Sequence, residues 1–152
     1  MTDYVLSIED GRTVLAAETP GAPSLLLAGV GWRAIGRDYL KHEPPTALEL
    51  ENAIAAIEDE IARLRVPPPK GSRVRTKDSL VRDIALAAGL PRDGEMIFEL
   101  TAVEQAFQRL AAQAARGLRT GEGIPAGNEA AAALVILREL THHLAFAVIT
   151  VQ

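Results

Sequence analysis

From Ala130 to Leu137 the chain runs through eight side chains without a polar atom, Ala-Ala-Ala-Ala-Leu-Val-Ile-Leu. Asn128 before this run is a helix cap, and a helix starting at Glu129 follows from it. A helix that is apolar on all sides has no solvent face, so it must lie at the centre of its domain or under a partner. The rest of the sequence therefore has to supply elements that surround it.

The front supplies strands. Tyr4–Ile8 and Thr13–Ala16 are short β-rich runs on either side of Asp10-Gly11, and that pattern predicts an antiparallel hairpin. Pro20-Gly21-Ala22-Pro23 breaks the chain. Ser24–Val30 is a continuous apolar run whose length and flanking Pro and Gly favour a third strand. Gly29, Gly31 and Gly36 argue against a regular element across Trp32 and Arg33.

The back supplies helices. Thr46 and Glu49 form a capping box after Pro44-Pro45. Leu50, Ile54, Ile57, Ile61 and Leu64 then recur at spacings of four and three, one apolar stripe ended by Pro67-Pro68-Pro69. The segment from Val66 to Lys77 reads as a loop rich in Lys and Arg. A short helix from Ser79 to Ala88 ends at Gly89. Met96-Ile97-Phe98 is a brief extended piece. Thr101 and Glu104 repeat the capping pattern, and Val103, Phe107, Leu110 and Ala114 mark a third helical face that Gly117 can end. Leu118–Gly127 is a glycine-rich loop. The last helix extends to about Ala145, with a short strand allowed over 146–151. The expected fold is α+β: an N-terminal antiparallel hairpin of two or three strands packed on about four helices, the last largely buried. It is expected as a single domain over 1–152, strand-rich over 1–40 and helical over 46–145.

Composition narrows the chemistry. With no cysteine, thiol nucleophiles, thiolate metal sites and disulfides are excluded. A net charge of −4 lacks the basic footprint of a general nucleic-acid binder. The apolar runs are too short for a membrane helix, and Met1-Thr2-Asp3-Tyr4 opens no secretory signal. A cytoplasmic protein without membrane contact is expected.

Three functional readings follow. Glu139, His142 and His143 are the candidate catalytic residues, and Glu139 with His142, one helical turn apart, the candidate metal ligands. Adjacent histidines point about 100° apart on a helix, so both cannot face one ion equally. Leu80-Val81-Arg82-Asp83-Ile84-Ala85-Leu86-Ala87-Ala88-Gly89-Leu90 resembles the first helix and turn of a helix-turn-helix, which implies a DNA-binding regulator over 79–94. Pro91, Asp93 and Gly94 interrupt the place of a recognition helix, and Glu95, Glu99 and Glu104 would repel phosphate. The loop before Asn128 lacks the Gly-Lys-Ser/Thr of a phosphate loop. The absence of a catalytic signature leads to the first expectation: a small non-enzymatic accessory or protein-interaction domain, homodimeric through the striped or the apolar helix. A metal-dependent or acid–base enzyme is the alternative. No particular cofactor is indicated.

Overall fold

The computed structural model describes residues 2–117, 127–146 and 148–152. The hairpin forms as its sequence dictates. Strand β1 (Asp3–Ile8) pairs antiparallel with β2 (Arg12–Ala17), from Tyr4 opposite Ala17 to Ile8 opposite Thr13. Strand β3 (Leu25–Ala28) adds to β2. Helix α1 (Trp32–Tyr39) and helix α2 (Ala47–Ala62) follow. Then come β4 (Arg73–Thr76), α3 (Ser79–Ala87), β5 (Met96–Glu99), α4 (Leu100–Arg116), α5 (Asn128–His143) and β6 (Val148–Val151). The sheet order is β3-β2-β1-β4-β6-β5. Strands β1, β4 and β6 run parallel, and β5 returns antiparallel on β6.

The α+β expectation holds, with the hairpin on the helices and the last helix buried. Every residue of α5 from Ala130 to Leu137 is buried, and α5 packs against α1, α2, α3 and α4. The helix without a polar side becomes the axis of the helical layer. The capping box of α2 is present, with Thr46 and Glu49 each holding the other's backbone amide. Its stripe turns Leu50, Ala53 and Ile57 into the same core.

Strand alternation separates the two faces of the sheet. Tyr4, Leu6, Leu15, Leu25, Leu27, Val74, Phe98, Ile149 and Val151 are buried beneath the helices. Thr13 and Thr76 also point inward, and each donates its hydroxyl to a backbone carbonyl, of Val30 and Leu6 respectively. The other face carries Val5, Ser7, Val14, Leu26, Arg73, Arg75, Ile97 and Val148. It bears no helix among the described residues, and Leu26, Ile97 and Val148 are exposed on it.

Four local expectations are corrected. Trp32–Tyr39 is a helix despite its glycines, because Gly36 faces the backbone of Asn128 on α5, where a small residue fits. Arg73–Thr76 is a strand inside the expected loop. Its four residues alternate exposed and buried, and pairing on both sides fixes them. Helix α4 starts two residues earlier than the Thr101 box implies and has no side-chain cap, and Glu104 turns to Arg138 instead. Asn128 does not cap α5: its amide donates to the carbonyls of Leu40 and His42, 2.7 and 2.8 Å away, and ties α5 to the end of α1. The glycine-rich stretch 118–126 lies outside the described residues.

Candidate functional site

Two places on this frame gather chemistry, at opposite ends of the sheet. The first is the carboxyl end of the parallel strands, where ligands of open α/β sheets bind. The β1–β2 turn, the β3–α1 junction and the end of β4 meet there. Asp78 caps α3 with one carboxylate oxygen and accepts the Ile8 amide with the other, at 2.9 Å. The first amides of α1 are held by the turn: Trp32 donates to the Glu9 carbonyl, and Arg33 and Ala34 to that of Asp10. Gly31 allows this approach. A Cβ there would lie 2.3 Å from the Asp10 carbonyl oxygen. Beside this clasp is a crevice of about 300 Å³ lined by Asp10, Gly11, Gly29, Arg33, Ala34, Arg37 and Asp38. Arg37 is paired with Asp38, whose carboxyl it holds below its ordinary value by a hydrogen bond. Arg33 lies over the Trp32 ring, 5.0 Å from its centre, and has no carboxylate partner among the described residues. Because the α1 amides are already bonded, an anion in this crevice would be met by guanidinium charge.

A second depression, of about 260 Å³, lies on the open face of the sheet. Its arginines are engaged. Arg73 grips Asp3 through two bonds of 2.9 Å, and Arg75 grips Glu18. Those bonds hold both carboxyls below their ordinary values.

The other gathering of chemistry is where α5 ends, five residues before β6 begins and so at the amino end of the parallel strands. Glu139 is fully buried there. Its Oε2 accepts from Arg138 Nη1 at 2.7 Å, while its Oε1 is buried without a hydrogen bond. Burial pushes this carboxyl up; the Arg138 bond opposes that, and Glu58 on α2 adds to it. Arg138 also reaches Glu104 on α4 at 3.0 Å and lies over the Phe107 ring. Burial lowers its guanidinium, but the bonds to Glu104 and Glu139 outweigh it. His143 Nε2 lies 3.2 Å from Glu139 Oε1 and 3.5 Å from Glu58 Oε1.

The structure thus brings Glu139 and His143 together and leaves His142 outside. The pair is one residue wider than the Glu139–His142 spacing expected to hold a metal. His142 is exposed, stacks edge-on against His143 and sits on the α4 side, where its charge acts on Glu104. The roughly 100° between adjacent helical positions separates the two rings. Glu58, Glu104 and Arg138 are not among the candidate site residues of the sequence, where Glu104 reads as half of a capping box. They come from three helices, and in sequence Glu58 and Arg138 read as ordinary charges beside an apolar stripe.

The strand order and the single covered face can be compared with solved structures. The chain matches the Aquifex aeolicus PPX-GPPA enzyme with a TM-score of 0.71 at 13% identity, over 100% of this chain and 53% of that one. The fold is that of the Ppx/GppA phosphatases. The type II variant of the Aquifex aeolicus Ppx/GppA phosphatase matches with a TM-score of 0.73 at 13% identity, over 99% and 53% of the two chains. An exopolyphosphatase-like protein matches at 0.72 with 14% identity, over 100% and 54%. The chain spans about half the length of these structures. No protein-family model matches the sequence. No curated protein is similar to it in sequence.

These likenesses correct the expectation of a non-enzymatic accessory or interaction domain. The solved structures sharing this architecture are described as Ppx/GppA phosphatases or exopolyphosphatase-like, not as accessory or interaction domains. The helix-turn-helix resemblance is corrected as well. Val81, Ile84 and Ala85 of α3 are buried against α5, and a strand, β5, stands where a recognition helix would be. The helices expected to form a dimer have turned their apolar sides into their own core. No helix among the described residues is long and apolar enough to cross a membrane.

Proposed function

We propose that the chain is a phosphatase-type enzyme domain that holds a phosphoryl substrate in the crevice at the carboxyl end of its sheet. The observation that carries this reading is the position of Arg33 and Arg37. They lie one turn apart on α1, lining the crevice beside the β1–β2 turn, in a fold shared with Ppx/GppA phosphatases. Guanidinium groups match phosphate oxygens in geometry and charge. Gly11 and Gly29 have no neighbour within 4 Å of a Cβ position, so the backbone is open to a ligand there.

The reaction is hydrolysis of a phosphoanhydride or phosphate ester. Water oxygen bonds to phosphorus, the bridging P–O bond breaks, and the leaving oxygen takes the bond's electron pair. Asp10 at the crevice can accept the proton of the water, while the arginines balance the charge developing on the phosphoryl oxygens. A cytoplasmic setting fits a chain without cysteine. We read 1–152 as a single domain, since one hydrophobic cluster joins both of its parts.

Calorimetry with inorganic tripolyphosphate, together with phosphate release, tests the reading. Each charge-assisted bond to phosphate contributes about 1.5–3 kcal/mol. Combined Arg33→Ala and Arg37→Ala should therefore weaken binding by roughly 100-fold or more, and Arg73→Ala on the open face should not. Absence of tripolyphosphate binding, or equal loss in the double variant and in Arg73→Ala, refutes it.

A further inference from the structure

Glu58, Glu139 and His143 each offer one ligand atom, and all three atoms lie within 4.8 Å of one another. Glu139 is fully buried, and its Oε1 carries no hydrogen bond. A buried carboxylate oxygen without a hydrogen bond is costly, and native structures leave few such atoms unmatched. The donors lie 3.2 and 3.5 Å from His143 Nε2. A tetrahedral ion with bonds of about 2.0–2.2 Å holds its ligand atoms roughly 3.3–3.6 Å apart. Two of the three spacings are thus already close to those of a coordination shell, and the third, within 4.8 Å, needs a small inward turn of the exposed Glu58.

From this geometry we propose that Glu58, Glu139 and His143 form a binding site for a divalent transition-metal ion of the Zn²⁺ type, cross-linking α2 to the end of α5. Glu139 Oε1 and His143 Nε2 are one helical turn apart and hold one face of the ion. Glu58 closes it from α2. The second oxygen of Glu139 is fixed by Arg138, which Glu104 and the Phe107 ring fix in turn. Ligating carboxylates are oriented by such outer partners. Imidazole and carboxylate together suit zinc and its neighbours, whereas an all-oxygen set suits Mg²⁺ or Ca²⁺. Glu58 and His143 are partly exposed, so an ion can enter and a fourth position is open to water. The site is at the other end of the sheet from the phosphoryl crevice and does not depend on it.

The experiment is a titration of the chelator-treated full chain with Co²⁺, read by its visible absorption, followed by displacement with Zn²⁺. One ion per chain is expected, with the strong visible bands of four-coordinate cobalt. Zn²⁺ should remove the bands and raise the Tm. Glu58→Gln is the principal variant, because its partly exposed side chain can change without unfolding the core; it should weaken Co²⁺ at least 10-fold. His143→Ala should abolish the bands. His142→Ala and His42→Ala should leave both bands and affinity unchanged. Bands that persist in His143→Ala, that vanish in His142→Ala, or that never appear overturn the proposal.

Discussion

Two glycines five residues apart should respond to the same substitution with opposite signs. At Gly31 the added Cβ would sit 2.3 Å from the Asp10 carbonyl oxygen, 2.4 Å from its carbon and 2.5 Å from the Gly11 nitrogen. All are backbone atoms, so no side chain can swing away. Gly31 has φ −128, which any residue can adopt, so the cost is contact alone. Relief requires the β1–β2 turn to withdraw by about 1 Å, which lengthens the bonds from Trp32, Arg33 and Ala34 to the turn. Overpacking costs roughly 1–3 kcal/mol, and each weakened bond up to about 1. Gly31→Ala should therefore lose about 2–4 kcal/mol. At 2–4 °C per kcal/mol for a domain of this size, that is a fall of roughly 5–15 °C in Tm. At Gly36 a Cβ would meet the nearest atom, the Asn128 carbonyl oxygen, at 3.6 Å, an ordinary contact. Glycine inside a helix is worse than alanine by roughly 0.5–1 kcal/mol, so Gly36→Ala should gain about that much. Urea unfolding of both variants measures the difference. A Gly31→Ala protein as stable as the parent would refute the clasp between the hairpin turn and α1.

Acid should loosen the start of α2. Glu49 is raised by burial, but amide donors from Thr46, Lys41 and His42 outweigh that and bring it down to about 2. A carboxyl lowered on folding stabilises the protein above its unfolded value near 4.5 and loses that contribution as pH falls toward 2. Glu49→Gln should cost about 1–2 kcal/mol at pH 7 and flatten the stability profile between pH 4.5 and 2; an unchanged profile contradicts the assignment. Two copies are expected to pair weakly through the open sheet face. A two-fold axis along the strands would set Leu26 at one border against Ile97 of the other copy, and the β4 arginines near Asp3. Six strands about 4.8 Å apart give a footprint of roughly 500 Å² per copy, at the small end of specific interfaces. Light scattering should show mass rising with concentration above about 100 μM, and not in a Leu26→Lys, Ile97→Lys variant; equal association of both proteins rules the face out.

Local chemistry made several elements readable. Asp10-Gly11 marked the hairpin, Thr46 with Glu49 the start of α2, and Gly117 the end of α4, because each acts on backbone a few residues away. The same logic failed where a distant group competed. Asn128 would cap α5 in isolation, but the carbonyls of Leu40 and His42 claim its amide. Glu104 would close a box with Thr101, but Arg138 claims it. Strand β4 has only four residues, too few for alternation to show without its neighbours β1 and β6.

The run Ala130–Leu137 had to be central from composition, since no solvent face exists on such a helix. Helical spacing likewise placed Glu139 and a neighbouring histidine together at that helix's end. Tertiary structure alone decided which histidine, because only the docking of α2 puts Glu58 beside His143 and leaves His142 outside. It likewise decided that Arg33 and Arg37 stand at the carboxyl end of a sheet, since a chain does not record which strands will run parallel. Periodicity fixes the face a residue takes on its own element, whereas a site is made where faces of several elements meet.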